Sequence, residues 1–121
     1  MKNNVLNGFC NHHTWIVYCW LCNDSRTFTF WHNTARQVIF TALHENPLLV
    51  QSRKALFQRA QHVLAKRLEC QVDAESPLWG DSGLYSDLLA LAMCDVDWLK
   101  IASLYLRADF VEDAVLDWQR L

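Results

Sequence analysis

A chain of 121 residues, 52% hydrophobic and 20% charged, has the apolar content for one modest core and too much of it for a disordered segment. No apolar run reaches the roughly 20 residues of a membrane-spanning helix, because the longest, Trp15 to Cys22, ends at Asn23 and Asp24. The net charge of −2 excludes the strongly basic balance of most nucleic-acid binders, but it conceals a division, with eight Lys/Arg against three acids in residues 1–72 and three against ten in residues 73–121.

The opening MKNNVLNGF lacks the apolar centre and small-residue cleavage site of a signal peptide, so a cytoplasmic location is expected and residues 1–10 read as an N-terminal arm. Asn11 can cap a helix over 12–22, and Asn23 or Asp24 a second from 25 to about 44. The stretch Thr14 to Trp31, TWIVYCWLCNDSRTFTFW, nevertheless reads two ways. Its Thr, Trp, Ile, Val, Tyr and Phe are β-formers, which suits a hairpin turning at Asn23-Asp24. A helix apolar on every face, packed in the centre of a bundle, suits it equally. The punctuation of the whole chain favours helices: an all-β chain needs a turn about every 8 to 12 residues, and no glycine occurs between Gly8 and Gly80.

Asn46-Pro47 opens the third element, since proline fits the first helical position, where its missing N–H costs nothing. Leu49, Leu56, Ala60, Val63, Leu64 and Leu68 then recur at three- and four-residue steps, which predicts one helix from Pro47 to about Cys70. Residues 71–81, QVDAESPLWGD, read as a long loop carrying Trp79. Asp81 or Ser82 can cap a helix to about Cys94, and Asp95 or Asp97 another over roughly 96–107. The final segment, 108–121, is amphipathic: Phe110, Val111, Ala114, Val115, Trp118 and Leu121 form one face, and Asp109 with Glu112 has the spacing of a capping box. The expected architecture is all-α, a compact single-domain bundle of five to six helices, with 11–107 as the helical domain and 108–121 packed upon it.

Asn11, Thr14, Trp15, Val17, Trp20, Asn23 and Asp24 form an N-x-x-T-W-x-V-x-x-W-x-x-N-D block, and Gly83-Leu-Tyr-Ser-Asp-Leu-Leu89 followed by Val96-Asp97-Trp98 and Ile101-Ala102 forms a second. Together they resemble a family of small uncharacterised proteins encoded by phages, plasmids and other mobile elements. The resemblance covers roughly residues 11–106 and supplies no catalytic residue. It implies a helical opening, which decides between the two readings of Thr14 to Trp31. The cysteines and His13 depart from the family's pattern.

Five cysteines are an odd count in a chain without an export signal, and reduced thiols are expected, with Cys19, Cys22, Cys70 and Cys94 among apolar neighbours. Cys19-Trp-Leu-Cys22, with Cys10, His12, His13 and His32 nearby, has zinc-like spacing, but the pair lies inside an apolar run rather than on a knuckle. No metal or other cofactor is therefore expected. Neither a Gly-rich phosphate loop nor a nucleophile with a recognisable signature occurs, and enzyme activity is the least favoured class. Helical spacing places Trp15, Trp20, Trp31 and Trp98 on buried stripes.

Two surfaces remain. The acids Asp109, Glu112, Asp113 and Asp117, with Trp79 as a loop anchor, can dock on a basic protein. Together with the mobile-element resemblance, they suggest a stoichiometric inhibitor of a host defence complex, of anti-CRISPR type. The alternative is a nucleic-acid-binding regulator that uses Arg53, Lys54, Arg59, Lys66 and Arg67 of the third helix. A homodimer through the last helix is a third arrangement. The bland counterpart of both surfaces is that the basic and acidic halves pair within one molecule.

Overall fold

In the computed structural model, which describes residue 9, residues 11–78 and residues 80–120, the tryptophan-rich opening is helical. The elements are α1 (His12–Asn23), α2 (Ser25–Glu45), a 3-10 turn (Pro47–Gln51), α3 (Arg53–Ala74), α4 (Leu84–Cys94), α5 (Trp98–Tyr105) and α6 (Ala108–Gln119), with no β-strand among the described residues. The chain is an all-α, single-domain bundle.

Short polar side chains set most of the boundaries. Asn11 Oδ1 accepts the Thr14 N–H at 2.8 Å, and Asp24 Oδ1 accepts that of Arg26 at 2.8 Å, so one aspartate ends α1 and starts α2. Asn46 caps the 3-10 turn, with Pro47 at its start. The single helix expected from Pro47 is in fact divided. Ser52 leaves the helical path and its Oγ accepts the Ala55 N–H at 3.2 Å, so α3 begins at Arg53 and continues to Ala74, beyond the expected end at Cys70. A serine cap inside an apolar-periodic run outweighs the periodicity, because it satisfies a backbone donor that the helix start leaves without a partner.

Two further starts differ from expectation. Neither Asp81 nor Ser82 caps α4; Gly83 precedes it at φ +129°, a backbone conformation in which any side chain would be strained. Likewise the expected capping box of α6 does not form. Arg107 occupies the capping position without a side-chain bond, Asp109 sits in the first turn, and Glu112 is drawn to Arg53 instead.

The core lies between α2 and α3, onto which α5 and α6 pack. Ile39 and Leu43 from α2, Leu56, Leu64 and Leu68 from α3, Ile101 from α5 and Val115 from α6 are all inaccessible to solvent. The centre is thus not the opening helix, contrary to expectation: α1 buries only Thr14 and Leu21. Its apolar circumference concealed which face turns inward. Trp31 is buried and Trp15 and Trp98 are half-buried, but Trp20 is 72% exposed, and Cys70 and Cys94 are also at the surface.

Candidate protein-binding surface

The two blocks of the sequence pattern meet in space. Asn11, beyond capping α1, donates from Nδ2 to the Asp95 carbonyl at 2.8 Å. The Thr14 hydroxyl, fully buried, donates to Asn11 Oδ1 and accepts the Asp97 N–H, both at 2.8 Å. Asp97 in turn caps α5 by accepting the Lys100 N–H at 3.0 Å, and His13 Nδ1 lies 3.3 Å from Asp95 Oδ2. This polar staple ties the start of α1 to the start of α5 across more than eighty residues of chain. Val96, Ile101 and Ala102 from the second block enter the core. These block residues therefore build the fold, which is the work their spacing requires.

The expected charged surfaces meet at one ion pair, and most of the α6 acids are engaged by arginines of the same chain. Arg53 Nε and Nη2 donate to the two Glu112 carboxylate oxygens at 3.0 and 3.1 Å, a bidentate pair linking α3 to α6. That bond holds the Glu112 carboxyl below its ordinary range and the Arg53 guanidinium above its own, although both are exposed. Arg107 pairs with Asp109 at 3.2 Å, Arg120 with Asp117 at 3.3 Å, and Arg59 lies 3.9 Å from Glu45. Asp113 forms no ion pair among the described residues, nor do Lys54, Lys66 and Arg67. Arg59 and Lys66, seven residues apart, share one side of α3, whereas Lys54, five residues before Arg59, projects well away from it. The basic side chains are spread around the helix rather than gathered into one track.

Another surface lacks any such internal partner. No residue of α4 is buried, and the helix takes part in none of the main helix–helix contacts. Leu84, Tyr85, Leu88 and Leu91 are between 53% and 73% exposed along one side. The opposite side, with Leu89, Ala90 and Met93, faces a groove of about 1390 Å³ shared with the C-terminal turns of α3. Trp20 from α1 and Trp98 from α5 reach the same groove. Asp87 is the helix's single charge. A helix apolar on all sides belongs in an interior, and this one stands at the edge of the fold. Gly80, at φ +83°, and Gly83 turn the chain into it. Trp79 lies outside the described residues, but Leu78 and Gly80 on either side of it line the groove.

Sequence reasoning missed α4 as a surface although the signal is plain in LYSDLLALAMC, which has no polar face. Such a helix is assigned to the core by default. Cys19 and Cys22 are half-buried within α1, and the Cys22 Sγ lies 3.7 Å from the Tyr105 hydroxyl. Among the described residues no three His, Cys, Asp or Glu side chains gather where they could hold a metal ion, and no helix is long and apolar enough to cross a membrane. Comparison with protein-family models, curated proteins and solved structures found no match for this chain.

Proposed function

We propose that this protein acts stoichiometrically by binding another protein, and that α4 with the groove beside it is its contact surface. The observation that carries the reading is the exposure of Leu84, Tyr85, Leu88 and Leu91 on a helix with no buried residue. A contiguous apolar surface of this kind on a folded domain marks an interaction site, since its burial in a complex releases water from every one of these side chains. Trp20, exposed beside the groove, is the type of residue that dominates binding energy. The resemblance to mobile-element proteins makes a host defence complex the first partner to test, with the chain acting as its inhibitor.

The acids of α6 contribute less to this reading than their number suggests, because Asp109, Glu112 and Asp117 already face arginines of the same chain. The same Arg53–Glu112 pair weakens the nucleic-acid alternative, as it removes one of the five cations from a surface that is already dispersed.

The test is affinity capture from a natural host with the wild-type chain and with Leu88→Lys/Leu91→Lys. Both side chains are exposed, so the variant should keep its helical circular dichroism and melting temperature. We expect the wild type to retain a defined partner at a fixed ratio and the variant to lose it. Equal retention by both would exclude α4 as the contact surface.

A further inference from the structure

We infer that the groove between α3 and α4 receives an amphipathic, basic helix of the partner protein; the inference rests on the reading of α4 as a protein-binding surface. Shape is the first reason. The groove runs between two helical walls, from Lys66 to Asp73 on α3 and from Ser86 to Cys94 on α4. The α4 wall is about 12 Å long at 1.5 Å per residue, the length of a helix of two to three turns. Its floor is apolar, with Val72, Leu78, Leu89, Met93 and Trp98, which suits the apolar stripe of an incoming helix.

Charge selects the occupant. The charged residues lining the groove are Glu69, Asp73, Glu75 and Asp81 against Lys66, a net of −3, and Asp87 adds a further acid on α4. A helix with lysines or arginines beside its apolar stripe meets opposite charge along the α3 wall and the loop that follows it. A second copy of the chain would bring the same acids against these, and a nucleic acid would bring phosphates. The basic helix of a second copy does not fit either, because the apolar stripe of α3 is already in the core. Trp20, exposed at the groove, gives a cationic side chain of the incoming helix an aromatic ring to pack against. The outer stripe of α4 is then covered by the body of the same partner.

The test uses the full chain and three synthetic peptides: a leucine–lysine amphipathic helix, the same peptide with glutamate at every lysine, and a scrambled leucine–lysine sequence of equal charge. Binding is read by fluorescence anisotropy, and occupancy of the groove by the alkylation rates of Cys70 and Cys94, both of which line it and are exposed. The lysine helix should bind at least about tenfold more tightly than either control, slow alkylation at both thiols, and weaken with added salt. Asp73→Lys/Glu75→Lys/Asp81→Lys should abolish that preference, whereas Asp109→Lys/Asp113→Lys/Asp117→Lys should leave it.

Equal binding of the glutamate or scrambled peptide, no binding at all, or loss of binding only on reversal of the α6 acids overturns the inference. So does light scattering that reveals a dimer in which Cys70 and Cys94 are protected from alkylation, which would make a second copy the occupant of the groove. If reversal of the rim leaves natural-partner capture intact while Leu88→Lys/Leu91→Lys removes it, the basic-helix inference fails and the protein-binding reading stands. If Leu88→Lys/Leu91→Lys leaves capture intact, both fail.

Discussion

Thr14 is a decisive position for the bundle, and replacing it with valine separates its shape from its chemistry. The side chain is wholly buried and its hydroxyl makes two hydrogen bonds of 2.8 Å, to Asn11 Oδ1 and from the Asp97 N–H. Valine fills the same volume but offers neither. Each lost bond removes about 1 kcal/mol net, so Thr14→Val should cost about 2 kcal/mol. With an unfolding entropy of roughly 0.25 kcal/mol/K for a chain of this size, that lowers the melting temperature by about 8 °C. Thr14→Ser keeps the hydroxyl and loses one buried methyl, at about 1 kcal/mol. Urea denaturation followed by circular dichroism gives both values, and the slope should not change, since the folded state keeps its extent. If Thr14→Val falls within about 0.5 kcal/mol of wild type, or Thr14→Ser is the more damaging of the two, the hydroxyl does not fasten α1 to α5 and the reasoning is refuted.

Other consequences are as specific. Trp31→Ala should cost about 3–5 kcal/mol because the ring lies in the core, whereas Trp20→Ala should leave stability within about 0.5 kcal/mol, both read from denaturant midpoints. Burial, with the Cys22 thiol alongside, pushes the Tyr18 phenol up to about 12 and raises Tyr105 further. A folded-state value above the unfolded one means stability is whole below the usual tyrosine value near 10 and drains as pH rises beyond it. Their phenolate absorbance should therefore emerge together with loss of helical signal, and gradual ionisation near the usual value with helices intact would contradict it. For Glu112 the sign is opposite: its depressed carboxyl stabilises the fold above the ordinary carboxylate range, and the contribution is lost as pH falls through the folded value. Carboxyl NMR titration of Arg53→Gln should return Glu112 to the ordinary range; an unchanged titration would mean that Arg53 is not the cause.

The scarcity of glycine and the regular placement of Asn11, Asp24, Asn46 and Asp97 made the helical architecture legible, because short polar caps and missing turn residues act locally. The Ser52 break is not legible because the apolar period continues through it. Orientation was harder. In α1 and α4 nearly every face is apolar, so the pattern carries no information about which side meets the core. The period therefore puts Trp20 inside, and nothing in it marks α4 as a surface. The acids of α6 were legible as an outward face, but their pairing with Arg53, Arg107 and Arg120 depends on tertiary neighbours and local rotamers that spacing does not specify. Asn11 and Thr14 of the first block and Asp97 of the second stand in the sequence as a pattern, and Asn11 and Asp97 as caps; their role as a staple emerges only when α1 and α5 lie side by side.

Amide hydrogen exchange of the free chain and of the chain bound to its captured partner compares all three candidate surfaces in one experiment. Protection should rise over residues 84–94 and the C-terminal turns of α3, because binding removes water from helices that are open in the free protein. Protection confined to α6, or to the N-terminal half of α3, with α4 exchanging as freely as before, would contradict the assignment of the apolar helix as the surface through which this protein acts.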